Sequence, residues 1–332
     1  MMKNFDDIVG QKGLVELMKG AVKNGTVSQG YLLSGEFRSG KEFVATIFAN
    51  ALQCEDKEHA PCGKCKACKL AAERNHPDIK YIAHDKPSTV GVEDIRRQVN
   101  DDVVIKPYIG PYKIYIIEEA EKMTPAAQNA LLKTLEEPPE YVVIILLATS
   151  EEEMLQTIRS RCVCLSMKPV PDDELRRFLI NEYRVPDYKA DICVAFARGN
   201  LGQAKALSQN EDFDKIKNQA VSLLKNITNM DGEDVNEAIH EVSKFRVNVD
   251  DFLDIIYIWY RDVLMFKSVN DINGLIFKPE FTDIKEMAKN LTYQEIEQIV
   301  EAVDTARARL KANVPFELTL RLLLLTIREN QR

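Results

Sequence analysis

The stretch YLLSGEFRSGKEF, residues 31–43, constrains the fold more than any other part of the chain. An apolar run feeds Gly35, four residues pass, and Gly40-Lys41 opens a segment with Phe43, Val44, Ile47, Phe48 and Leu52 at helical spacing. A strand, a glycine loop and a helix N-terminus in that order make a phosphate cradle. Backbone amides and the positive end of the helix dipole face the anion, and the lysine reaches its outer oxygens. Gly35, Gly40 and Lys41 keep the spacing G-x-x-x-x-G-K, but the next place, which needs a small hydroxyl for magnesium, holds Glu42. A carboxylate about 4 Å from one phosphate charge costs ~4 kcal/mol at an effective dielectric near 20. The simplest role for Glu42 is to complement the helix dipole. Productive hydrolysis is therefore not expected here, while weak nucleotide binding through Lys41 and the loop amides stays open.

The rest of the first half alternates strands and helices. DIKYIA, KIYIIEE, YVVIILLAT and VCLSM join GYLLSG as strand candidates. They are apolar on successive residues, which suits strands of a parallel sheet covered on both faces. Thr124-Pro125 reads as a helix cap and first-turn proline before AAQNALLKTLEE, whose inward stripe is Ala127, Ala130, Leu131, Thr134 and Leu135. Beyond MKPVPDDEL the strand signal fades and the pattern is helical. A capping box at Thr292 and Glu295 opens a helix with the stripe Ile296, Ile299, Val300, Val303 and Leu310. The reading is an α/β P-loop domain over 1–167, a short helical domain over 168–209 and an all-α domain over 210–332. Trp259 is expected in the core of the last.

Four of the seven cysteines cluster as CEDKEHAPCGKCKAC: Cys54, Cys62, Cys65 and Cys68. The opening MMKNFDDIVGQ is acidic with no apolar core, and the longest apolar runs are far short of a membrane span. A cytosolic protein with reduced thiols is therefore expected, and Cys-x-x-Cys turns there read as metal ligands. Tetrahedral zinc takes four thiolates at about 2.3 Å. Four cysteines leave no open position for water, so the zinc is structural, pinning an insert at about 54–75. Cys162, Cys164 and Cys193 read as packing residues. The net charge of −8, from 44 basic and 52 acidic residues, argues against a bulk electrostatic grip on nucleic acid.

Two further remnants accompany the loop. The strand IYIIEE ends in Glu118-Glu119, with Glu118 where magnesium chemistry wants the shorter aspartate, and Thr149 ends an apolar strand where it can orient a water. Arg161, in Ser160-Arg161-Cys162, reads either as a structural ion-pair partner or as an exposed finger.

These stretches together resemble the bacterial clamp-loader branch of the AAA+ family. The resemblance is carried by Val9-Gly10-Gln11, YLLSG with its loop, the four-cysteine insert with NHPDI, and IIEEAEKMTPAAQNALLKTLEEPP. LLATS, Ser160-Arg161-Cys162, GNLGQA and NVPFELTLRLLLL extend it over nearly the whole chain. It implies an AAA+ domain with a zinc-binding insert, a helical lid and an all-α collar that joins a ring. Such rings place the sliding clamp on primer-template DNA at the expense of ATP. It further implies gamma/tau and delta subunits as partners, with Arg161 completing a gamma/tau neighbour's ATP site. The departures at Glu42, Glu118 and Gly202, the last standing where hydrolysing relatives carry a lid arginine, imply that this chain's own ATP and magnesium site is degenerate. Two rival readings are an active gamma/tau-type ATPase and a zinc-ribbon DNA-binding protein on a vestigial scaffold. In the second, Lys57, Lys64, Lys66 and Lys69 would serve DNA, although Glu55, Asp56 and Glu58 offset them.

Overall fold

In the computed structural model, residues 3–83, 89–243 and 249–331 are described. Five parallel strands form one sheet: β1 (Gly30–Ser34), β2 (Ile79–Ile82), β3 (Lys113–Ile117), β4 (Val142–Ala148) and β5 (Val163–Ser166). Their spatial order is β2-β3-β4-β1-β5, with Leu32 level with Leu146 on one side and Cys164 on the other. Every residue of β1, β3 and β4 is buried. This is what continuous apolar runs require when helices cover both faces. One face sets Tyr31, Leu33, Ile116 and Ile145 against α1 (Lys12–Asn24) and α2 (Lys41–Gln53). The other packs Leu32, Tyr115, Ile144 and Leu146 against α4 (Val92–Ile95) and α5 (Pro125–Glu136), with α3 (Lys66–Ala72) preceding β2 and α6 (Gln156–Arg159) preceding β5.

The expected start of α5 is present: Thr124 Oγ1 accepts from the Ala127 amide, and Pro125 holds the first turn. Phe43, expected on the inward stripe of α2, is instead 38% exposed. It lies five residues from the buried Phe48, about 140° around the helix. Cys164 is likewise exposed rather than packed, because β5 is an edge strand that turns Leu165 inward and its neighbours out. Cys193 is buried as expected, and Cys162 is half-buried.

The chain divides into two compact units, residues 1–178 with 198–203, and residues 179–197 with 204–332. The helices after β5 are α7 (Asp172–Tyr183), α8 (Asp187–Ala197), α9 (Leu201–Gln209), α10 (Glu211–Asn226), α11 (Gly232–Ser243), α12 (Val249–Val269), α13 (Phe281–Asn290), α14 (Tyr293–Lys311) and α15 (Phe316–Asn330). In the second unit Trp259 is fully buried, with its indole N–H directed at Met287 Sδ 3.2 Å away. The capping box of α14 forms, and Ile296, Ile299 and Val303 are buried. No described helix is long and apolar enough to cross a membrane.

Candidate functional site

The carboxyl ends of β1, β3 and β4 meet at one edge of the sheet, because parallel strands all finish there. The strand order reverses around β1, with β4 on one side and β5 on the other. Open parallel sheets bind ligands at such a point. The loop after β1 is tied to its neighbours by Gly35 N–H to Ala148 O (3.1 Å) and Met167 N–H to Ser34 O (2.8 Å). Glu118, Glu119 and Thr149 follow the ends of β3 and β4. Thr149 lines the same cleft as Gly35, Glu36 and Ser39, whereas Glu118 and Glu119 follow β3, which β4 separates from β1.

Along this edge several polar groups pair with one another. Lys41 Nζ donates to Gly35 O at 2.6 Å and to Glu36 O at 2.8 Å, the backbone oxygens of its own loop. Burial lowers the Lys41 pKa, and the charges of Glu121 and Glu36 act in the opposite sense. Glu42 pairs with Arg74, whose guanidinium lies over the Tyr81 ring, 4.7 Å from its centroid. Glu119, at φ 48°, pairs with Lys122 at 2.7 Å. Glu121 keeps one buried carboxylate oxygen with no hydrogen-bond partner among the described residues.

The segment 198–203 closes over the loop from within the same unit. Asn200 Nδ2 donates to Phe37 O at 2.8 Å, and Gln11 clamps the Lys168 backbone from both sides, at 2.6 and 3.0 Å. A Cβ placed on Gly202 would collide with the Arg38 carbonyl oxygen. An arginine there would require the phosphate loop to move. In this arrangement Lys41 is bonded to loop carbonyls, Glu42 is paired with Arg74, and a side chain at position 202 has no room beside Arg38.

Arg161 lies away from this edge, in the turn between α6 and β5. It is exposed, with Nη2 2.8 Å from Glu136 Oε1 and Nη1 2.9 Å from Thr157 O. Ser160 Oγ donates to the same Thr157 carbonyl. Burial pushes the Cys162 thiol up to about 12, so it stays protonated as a packing group.

The four cysteines converge as their spacing predicts. Their sulfur atoms all lie within 4.8 Å of one another. Thiolates at about 2.3 Å from one zinc stand about 3.8 Å apart, so the set fits a tetrahedral ion. Backbone amides aim at the sulfurs: Cys62 N–H at Cys54 Sγ, Cys65 and Lys64 N–H at Cys62 Sγ, and Cys68 N–H at Cys65 Sγ, all at 3.4–3.5 Å. Such donors offset thiolate charge. Cys54 terminates α2 and Cys65 caps α3, so the cluster joins the two helices. Gly63, at φ 69°, supplies the left-handed turn between ligands.

Sequence reasoning did not find Arg74, Asn200, Glu136 or Glu121. Arg74 stands 32 residues from Glu42, and Asn200 163 residues from Phe37, so no local pattern links them.

A parallel sheet with a glycine loop leading from β1 into the N-terminus of α2, a four-cysteine insert and helical regions beyond defines an α/β protein of the P-loop kind. The family model described as DNA polymerase III, delta subunit, matches residues 10–171, and the model of that subunit's C-terminal part matches 204–329. The chain belongs to this DNA polymerase III delta-subunit family. It is 28% identical over 323 residues to DNA polymerase III subunit delta' of Bacillus subtilis, covering 96% of each chain. It is also 28% identical over 335 residues to subunit tau of the same bacterium, covering 93% of this chain but only 58% of that protein. A solved gamma-subunit-related DNA polymerase III protein of Thermotoga maritima aligns at 21% identity and TM-score 0.48, covering 96% of this chain and 99% of that one.

Proposed function

We propose that the chain works as a delta-prime-type subunit of the DNA polymerase III clamp loader and lends Arg161 to an ATP site of a gamma/tau neighbour. It hydrolyses no ATP itself. The observation that carries this reading is the separation of Arg161 from the chain's own phosphate loop. The chain's own phosphate loop has Lys41 bound to loop carbonyls and Glu42 paired with Arg74. Arg161 lies at the surface in the turn before β5, away from that loop, with an ion pair of its own to Glu136. A guanidinium there can meet the charge that develops on a transferring phosphoryl group. The partners in this reading are gamma/tau and delta subunits, with the sliding clamp and primer-template DNA reached through the assembled ring in the cytoplasm. Residues 168–209 serve as lid and 210–332 as collar, and the four cysteines hold a structural zinc.

The test is ATP turnover by a complex reconstituted from this chain with gamma/tau, delta, clamp and primed DNA. Arg161→Ala is expected to slow hydrolysis at the boundary it serves by about 10³-fold, seen in single-turnover kinetics as the loss of one phase. Unchanged kinetics would remove the trans role. Healthy turnover by the isolated chain that disappears with Lys41→Ala would favour an active gamma/tau-type ATPase instead.

A further inference from the structure

Glu136 is the last residue of α5, where the negative end of the helix dipole disfavours a carboxylate. The acid is therefore not there for the sake of its helix. Its Oε1 meets Arg161 Nη2 at 2.8 Å, while Nη1 donates to Thr157 O and lies 3.4 Å from Ser160 Oγ. The two side chains are 35% and 50% exposed, and ion pairs this open to water add little to stability. What the pair does accomplish is orientation.

The seat beneath it is rigid. A Cβ added at Gly30 would stand 3.0 Å from Cys162 Sγ, 3.1 Å from Arg161 O and 3.2 Å from Leu135 Cδ2. The backbone of the finger and the residue before Glu136 are thus both pressed against the start of β1. A guanidinium has five N–H donors in a fixed plane. Nη1 is engaged by Thr157 and Ser160, and Nη2 stands 2.8 Å from the Glu136 carboxylate as an ion pair. A guanidinium fixed in this way keeps its charge and planar donors in one place for an oxyanion.

We propose that Glu136 is the positioning residue of the finger, holding the Arg161 guanidinium in place for a neighbour's phosphate. This rests on the trans role of Arg161 argued above. Because the ion pair is intact before any phosphate arrives, its effect falls on the transition state rather than on nucleotide affinity.

The experiment is a double-mutant cycle in the reconstituted complex: Glu136→Gln, Arg161→Ala and the double variant, with Glu136→Asp beside them. Glu136→Gln is expected to lower kcat about tenfold at unchanged KM for ATP, with partial recovery in Glu136→Asp. The double variant should behave as Arg161→Ala alone, because the two residues act as a unit. If Arg161→Ala slows hydrolysis but Glu136→Gln does not, or if the two losses multiply, Glu136 has no positioning role and the finger stands. If Arg161→Ala itself has no effect, both readings fall together.

Discussion

A carboxylate in the magnesium corner of a phosphate loop is explained by its partner. Glu42 faces Arg74 rather than a metal, and the cation comes from the residue just beyond α3, at φ 56°. Lys41 is bound to Gly35 O and Glu36 O, so the loop is closed by its own lysine. The spacing of Gly35, Gly40 and Lys41 was legible because it is local, whereas the Glu42–Arg74 pair was not, since only folding brings the two together. Gly202 adds a backbone constraint that residue type alone does not reveal. Gly202→Ala is expected to cost about 1–3 kcal/mol, because its new methyl meets the Arg38 carbonyl, which cannot rotate away as a side chain does. Gly13→Ala in α1, where a Cβ meets nothing within 4 Å, should instead stabilise by about 0.5–1 kcal/mol. Denaturant midpoints of the two variants against the parent check both signs.

At the scale of elements, the first turn of α12 stores an acidic penalty. Burial, then the charges of Asp254 and Asp250, raises Asp251 to about 6, well above the ordinary aspartate value. The folded chain therefore binds a proton that the unfolded chain releases between about pH 4 and pH 6. Asp251 contributes its stability fully below pH 4, and that contribution is lost as pH rises through 6. Asp251→Asn should remove this dependence and raise stability at pH 7 by about 1–3 kcal/mol, measured by denaturation at pH 5 and pH 7. The neighbouring Asp254 is paired with Arg307, 2.7 Å away. The elements themselves were readable: five apolar runs became five strands, and Thr124 and Thr292 capped the helices they precede. The misplacements, Phe43 and Cys164, both lie where an element has a bare side.

For the molecule as a whole, the cysteine cluster is the feature that metal can control. Cys54 and Cys65 sit at the ends of α2 and α3, so zinc would fasten the insert to the helix that follows the phosphate loop. Metal analysis of gently purified chain is expected to find about one zinc per molecule, and a strong chelator should lower the melting temperature. Cys65→Ser should bind zinc more weakly and melt lower even without chelator. No metal, or a melting temperature indifferent to chelation, would refute the zinc reading. The same cluster belongs to the unit that carries Arg161, residues 1–178 with 198–203.

By itself the sequence determined the α/β layer, the glycine loop, the metal knuckle and the helical remainder. Each of these is written in periodicity or spacing over a few residues, where chain geometry leaves few options. Tertiary structure alone decided the order β2-β3-β4-β1-β5, the pairing of Glu42 with Arg74, the closure of Asn200 and Gly202 over the loop, and the seat of Arg161 on Glu136. Those depend on which distant segments come into contact, and an ion pair or a missing Cβ leaves no mark until the backbones that meet there are in place.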